Sequence, residues 1–138
     1  MSLVVDTSFV LAVLDISDSD HARCLQLAES TTERFVVPML TLPEIDYLLR
    51  REKRVDVWET FVGEIAGGSY SLHAPDETEL QRAAELEVTY ADLRLGLVDA
   101  SVVATCETVG ETKLATLDRR HFGVVRPRHC DTLTLLPE

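Results

Sequence analysis

The sequence predicts an α/β fold in which a central parallel β-sheet of four to five strands is flanked by helices on both faces. Short apolar runs at residues 3–5, 35–37 and 113–117 alternate with stretches of helical periodicity, the order expected when each strand returns through a covering helix. The first two runs are apolar at successive positions, as in strands buried on both faces. With 138 residues, 46% of them hydrophobic, no internal repeat and no low-complexity segment, the chain is expected to form one domain around a single core.

The first strand, residues 3–5, runs straight into Asp6, Thr7 and Ser8. In an open parallel sheet that strand end is the rim at which ligands bind. Residues 9–14 read as a helix capped by Thr7 or Ser8, and residues 21–29 as a second helix capped by Ser19, with Ala22, Leu25, Leu27 and Ala28 facing inward. Residues 35–37 form the second strand, closed by Pro38. Thr41-Leu42-Pro43-Glu44 combines a T-x-x-E capping box with an early-helix proline and predicts a helix over Leu42–Arg51. Val55–Ala66 follows as a helix with Val57, Phe61, Val62 and Ile65 on its apolar face, ended by Gly67-Gly68. Tyr70–His73 is a strand or an extended segment.

Asp76 caps a long helix over residues 77–90 whose inward side is Leu80, Ala83, Ala84, Leu86 and Val88. Gly96 breaks the chain before a helix over Leu97–Val109, ended by Gly110. Residues 113–117 form a strand that ends on Asp118, repeating the arrangement at Asp6. A turn at Arg119–Phe122, a short strand at residues 124–125 and a last strand at residues 133–136 complete the expectation.

Composition excludes several functions. A formal charge of -11 argues against broad electrostatic capture of nucleic acid or of an anionic membrane. Even two bound divalent ions would leave the chain well on the negative side. Nothing approaches the roughly 18 apolar residues of a membrane span, and no basic region precedes an apolar signal core, so a cytoplasmic protein is expected. Cys24, Cys106 and Cys130 lack metal-ligand spacing and read as reduced thiols, the first two as packing residues. The chain has neither a dinucleotide-type nor a P-loop glycine motif. His21, His73, His121 and His129 show no Ser-His-Asp spacing, and His121, close to Asp118, reads as structural or surface.

The informative anomaly is Asp99. Three, four and seven residues on are Val102, Val103 and Cys106, so this carboxylate shares the apolar face of its helix. A carboxylate on such a face meets a cation, a donor or a metal, or stays protonated; a helix-start acid favoured by the macrodipole is the structural alternative. Glu44 has its own alternative as the third member of the capping box, and Asp6 and Asp118 as turn or capping residues. Taken together, four acids from four elements would share one sheet rim. They would repel strongly unless a divalent ion sat among them. Oxygen ligands without a His or Cys cluster point to Mg²⁺, with Mn²⁺ a substitute, and the chemistry that suits such an ion is phosphodiester hydrolysis.

Local basic clusters would then have to hold an anionic substrate. Arg50, Arg51, Lys53 and Arg54 lie at the end of the helix that begins near Glu44, Arg119 and Arg120 directly follow Asp118, and Arg126 and Arg128 form a weaker third group. Solvated charge at a helix end is the structural alternative for the first cluster. Aromatic residues make up only 6% of the chain, so recognition would rest on RNA shape and a few exposed bases rather than on extensive stacking.

Four segments carry a resemblance: Val5-Asp6-Thr7-Ser8, Leu42-Pro43-Glu44-Ile45, Leu95-Gly96-Leu97-Val98-Asp99-Ala100, and Ala115-Thr116-Leu117-Asp118-Arg119-Arg120-His121-Phe122. In this order and spacing, over nearly the whole chain, they make the sequence resemble the PIN-domain ribonucleases, specifically the VapC toxins of bacterial type II toxin–antitoxin systems. The resemblance implies a PIN-like domain over residues 1–138 and a Mg²⁺-dependent endoribonuclease toxin acting on tRNA, rRNA or mRNA. It makes Asp6 and Asp99 the direct metal ligands, with Glu44 and Asp118 positioning waters or a second ion. Ser8 and Thr116 would hydrogen-bond these carboxylates or a phosphate. Asp92, seven residues before Asp99, is a candidate for the pocket's outer shell, although Gly96 interrupts the helix between them. A homodimer is implied, held inactive by a VapB-like antitoxin that sends a basic residue into the acidic cleft, with the helices at residues 9–14 and Val55–Ala66 as docking surfaces. Two other readings stay open. One is a PIN fold that acts only as an interaction module; the other is a receiver-like phosphoacceptor domain, against which Asp6 stands alone after its strand and Lys113 begins rather than ends the later one.

Overall fold

The computed structural model describes residues 1–138. Five parallel strands are present: β1 (Ser2–Val5), β2 (Arg34–Pro38), β3 (Tyr70–His73), β4 (Lys113–Ala115) and β5 (Thr134–Leu136). They lie in the order β3-β2-β1-β4-β5, so the first strand is central, and Val4 pairs with Val36 on one side and Leu114 on the other. Side chains alternate across a strand. Leu3 and Val5 therefore enter one core cluster while Val4 enters the other, which is why the whole run is apolar.

The cluster around Leu3 and Val5 is covered by α1 (Thr7–Leu14), α2 (His21–Ser30), α3 (Leu42–Arg51) and α4 (Val55–Ala66). The cluster around Val4 is covered by α5 (Glu77–Thr89) and α6 (Leu97–Val109), and Phe122 from the short α7 (Arg119–Phe122) joins it. Most of the aromatic residues are used in the first cluster, where Phe61 meets Tyr70 edge-on with centroids 5.1 Å apart and Tyr70 stacks on Phe35 at 5.6 Å. Cys24 and Cys106 are fully buried, as packing residues should be. No helix is long and apolar enough to cross a membrane.

Several local expectations give way to tertiary context. Asp6, not Thr7 or Ser8, caps α1 by accepting the Phe9 amide, and α2 starts after Asp20 with no side-chain cap. The capping box at Thr41 does not form. A 3₁₀ turn at Met39–Thr41 precedes α3, Thr41 sits in helical backbone, and its hydroxyl donates to the Pro38 carbonyl at 2.7 Å instead of capping. Residues 124–125 form no strand, because the Val124 and Val125 amides both turn back to the His121 carbonyl. Leu80, Ala84 and Val88 of α5 face solvent, as do Ala22 and Val62; α5 is buried through Glu79, Ala83 and Leu86 alone. One contiguous side is all that an amphipathic helix on the outside of a sheet can bury, and α5 carries more apolar residues than that side holds.

Phe61→Ala should destabilise the protein by about 3–5 kcal/mol, because the fully buried ring leaves a cavity between Trp58 and Tyr70. Urea unfolding followed by circular dichroism measures this, and a loss under about 1 kcal/mol would contradict the packing described.

Candidate metal-dependent active site

Asp6 lies just past the end of β1, where its amide still donates to Ala115 of β4 at 3.1 Å, so the chain leaves the sheet with this side chain at the rim. Its carboxylate is held from three directions. Oδ1 accepts from Ser8 Oγ at 2.8 Å and from the Phe9 amide at 3.0 Å, and Oδ2 accepts from Thr116 Oγ1 at 2.5 Å. Thr116 is held in turn by the Asp118 amide, and Ser8 Oγ accepts the Leu117 amide at 2.9 Å, so the ends of β1 and β4 are stitched together. Capping and site formation are here one interaction: the bond that starts α1 also aims the carboxylate.

Asp118 repeats this logic one strand away. It caps α7 through Oδ1, which accepts the His121 amide at 3.0 Å, while Oδ2 receives His121 Nδ1 at 2.7 Å. Asp99 stands in the first turn of α6 beside buried Ala100, Val102 and Val103, and its Oδ2 lies 3.8 Å from His121 Nδ1. Glu44 reaches the same place from the first turn of α3, free of the capping box that would have claimed it. Asp6, Glu44, Asp99 and Asp118 line one cavity of about 280 Å³ together with Thr7, Ser8, Leu11 and Leu48. No cationic side chain is among them.

The electrostatics reflect that crowding. Burial pushes the Asp6 carboxyl up to about 6 against the pull of its three hydrogen bonds, and the Asp99 charge adds to the rise. Burial and then the Asp118 charge push Asp99 up to about 6, with Glu44 adding to this and His121 opposing it. The Asp118 hydrogen bond holds the His121 imidazole above its usual value.

These residues suit a hard divalent cation. Asp6 has spent three of the roughly four acceptor positions of a carboxylate and keeps one toward the cavity. Thr7 Oγ1, buried in the cavity wall, has no hydrogen-bond partner. Asp99, Asp118 and His121 offer ligand atoms within 4.8 Å of one another, which on distance alone makes His121 a ligand too. We instead assign His121 to holding Asp118, because its Nε2 lies 3.1 Å from the Leu93 carbonyl and its Nδ1 faces the Asp118 carboxylate. Both ring nitrogens face oxygen acceptors, so a protonated ring would donate from each and offer no lone pair to an ion. His121 was read from the sequence as structural or surface. Its place three residues after a helix-capping aspartate was the available signal for a role at the site.

The remaining residues singled out in the sequence divide. Ser8 and Thr116 bind the Asp6 carboxylate, whereas Asp92 is exposed on a 3₁₀ turn, Ala91–Leu93, and does not line the cavity. Arg94 in left-handed backbone and extended Gly96 separate Asp92 from α6, so the seven-residue spacing brings no helical alignment. Arg50, Arg51 and Arg54 are engaged by Asp46, Glu52, and Asp15 with Asp56, at 3.6–3.9 Å, while Lys53 is exposed. Arg119 donates to the Pro137 carbonyl at 3.0 Å, and Arg120 is exposed beside Asp118.

Comparison with known proteins decides the family. The PIN-domain family model matches residues 3–126. This chain belongs to the PIN-domain family. It is 33% identical over 135 residues to ribonuclease VapC26 of Mycobacterium tuberculosis, covering 98% of this chain and all of that one, which makes it a VapC-type ribonuclease toxin homologue. Among solved structures its fold is similar to M. tuberculosis VapC20, described as a sarcin-ricin loop cleaving toxin (TM-score 0.79, 21% identity, 85% of this chain and 90% of that one). It is also similar to a chain of a toxin–antitoxin complex from Klebsiella pneumoniae (TM-score 0.69, 16% identity, 90% and 92%). A third similarity is to VapBC2 of Rickettsia felis bound to promoter DNA (0.68, 14%, 98% and 97%). The PIN match removes the receiver-like reading, and the strand order agrees, since receivers carry 2-1-3-4-5.

A raised carboxyl pKa means that the folded, metal-free protein loses stability as pH rises from the ordinary value of 3.8 to the raised value of about 6. Without metal, Asp99→Asn should therefore melt at a higher temperature than wild type at pH 8, and the difference should shrink below about pH 6, where wild-type Asp99 is itself protonated. Thermal melts in EDTA at pH 5 and pH 8 measure this. A variant less stable than wild type at pH 8 would contradict the crowding of charge described here.

Proposed function

We propose that the chain is a metal-dependent endoribonuclease toxin that hydrolyses a phosphodiester bond of cellular tRNA, rRNA or mRNA. The observation that carries this reading is the convergence of four carboxylates from four separate elements on one cavity that no lysine or arginine lines. Asp6, Asp99, Asp118 and Glu44 would hold Mg²⁺, or Mn²⁺ in its place. Such an ion, when bound, supplies Lewis-acid chemistry: hydroxide near neutral pH and neutralisation of charge at a phosphate oxygen.

The chain's own residues do the positioning. Thr116 and Ser8 lock the Asp6 rotamer, so that this ligand needs no reorganisation, and His121 does the same for Asp118. Arg119 and Arg120, exposed and directly following Asp118, would meet a phosphate next to the cleaved bond. Arg50, Arg51, Lys53 and Arg54 offer a second cationic region at and just beyond the C-terminal end of α3. The direct acid ligands and the hydroxyls behind them are separate classes: loss of an acid removes the ion, whereas loss of a hydroxyl loosens it.

The same surface supports restraint by a VapB-like antitoxin. A groove of about 180 Å³ between α1, α3 and α4 is lined half by apolar residues, Leu11, Leu14, Leu48, Leu49 and Val57, and half by charged ones, among them Asp15 and Arg54. It shares Leu11 and Leu48 with the acidic cavity, so a peptide lying along it could carry a basic side chain into the four acids. A homodimer and a cytoplasmic site of action complete the proposal.

Purified protein freed of any partner should cleave total RNA with Mg²⁺ or Mn²⁺ and not in EDTA, while Asp6→Asn and Asp99→Asn should show no cleavage. Thr116→Val should lower activity or metal affinity by about 10–100-fold. Gel-resolved fragments read the outcome, and equal cleavage by wild type and both asparagine variants would defeat the proposal.

A further inference from the structure

The chain has four phenylalanines, three tyrosines and one tryptophan. Phe9, Phe61, Phe122 and Tyr70 are buried, and Phe35, Trp58 and Tyr90 pack half-buried against the two core clusters. Tyr47 is the exception. It is 53% exposed and belongs to neither cluster, so the packing of the fold does not account for it.

Its position is specific. Tyr47 is on α3 between Glu44 and Leu48, both of which line the acidic cavity. Three residues of helix separate it from Glu44 by one turn, about 4.5 Å along the axis. On the helical wheel Glu44 and Leu48 lie about 40° apart, and Tyr47 falls about 60° beyond Glu44 on the side away from buried Ile45 and Leu49. Tyr47 is not itself part of the cavity lining, and this placement puts it just outside, next along α3 to the Glu44 that is. Arg50 places its guanidinium carbon 5.9 Å from the ring centroid, and is itself largely exposed, with Asp46 at 3.6 Å as its ion-pair partner.

Such a pair meets a need set by charge. On a chain of net charge -11, with four acids in the cavity, long-range attraction brings no phosphate to the site. Affinity must come from contacts made close to the reacting bond. An exposed ring braced by a guanidinium offers a π face and a cation together, and every nucleobase can stack on it.

We infer that the Tyr47 ring, braced by Arg50 just outside the acidic cavity, is the stacking platform for an unpaired nucleobase beside the cleaved phosphodiester. The inference rests on the nuclease reading and deepens it. Stacking of this kind requires a base out of its helix, so cleavage falls in single-stranded or looped RNA and not within a duplex. Because a ring accepts any base, Tyr47 reads whether a base is unpaired rather than which base it is.

The test uses a single-stranded oligoribonucleotide that spans a cleavage site mapped in total RNA, and a set in which each position in turn is abasic. Tyr47→Ala should raise KM about 5–150-fold, the value of one stacked base, with kcat within about twofold of wild type. Tyr47→Phe should behave as wild type, since the ring and not the hydroxyl makes the contact. One abasic position should raise the wild-type KM by a similar factor and add nothing further to Tyr47→Ala. An unchanged KM in Tyr47→Ala, a Tyr47→Phe variant as impaired as Tyr47→Ala, or an abasic effect that multiplies undiminished with Tyr47→Ala would each overturn the inference. So would a smaller assembly of Tyr47→Ala by gel filtration, which would mean that a protein surface covers the ring. Failure of wild type to cleave any RNA would defeat the nuclease reading itself and the inference with it; cleavage with no effect of Tyr47 would defeat the inference alone.

Discussion

Asp6 is only 4% exposed at the end of the central strand, and the elements around it are arranged to hold its carboxylate there. A serine and an amide from α1 and a threonine from beyond β4 all donate to it, so residues 110 positions apart in sequence are tied at one group. These bonds do not offset the burial of the charge, since its pKa still rises to about 6. A second acid, Asp99, is raised to the same value beside it. The fold thus tolerates two poorly compensated carboxylates at a rim where its core residues could have made a neutral and more stable end. Folds carry such strain at sites where a ligand relieves it.

If the chain acts on RNA as proposed, the same arrangement accounts for how so acidic a protein would do so. Net charge governs encounter at a distance, whereas the catalytic contacts are made within a few ångströms, where ions, arginines and a ring dominate. The core clusters on the two sheet faces have no part in that chemistry; they hold strand ends and helix starts in register so that acids from β1, α3, α6 and the turn after β4 meet. The groove beside the cavity lies on the face covered by α1, α3 and α4. Inhibition and catalysis could then compete for one surface.

The strand pattern and the four acids were legible because each leaves a local mark: consecutive apolar residues for a strand covered on both faces, a carboxylate at a strand end, a charge on an apolar helical face. What was not legible was set by which of several possible partners each group takes in the folded chain. The capping box at Thr41 fails because Pro38 offers its carbonyl to the threonine hydroxyl, and that failure leaves Glu44 free for the cavity. His121 meets Asp118 three residues away, but the ring is fixed there by Leu93, 28 residues earlier, whose carbonyl faces its second nitrogen. The exposed Leu80, Ala84 and Val88 show the same limit, since periodicity reports that a helix is amphipathic and not how wide a stripe its neighbours can cover.

The central claim is that Asp6 and Asp99 share an ion. The most direct test is anomalous diffraction from crystals of the protein soaked in Mn²⁺. The account predicts a peak in the cavity with carboxylate oxygens of both Asp6 and Asp99 in its coordination sphere. A peak that contacts only one of them, or no ordered ion in this cavity at saturating Mn²⁺, would contradict it.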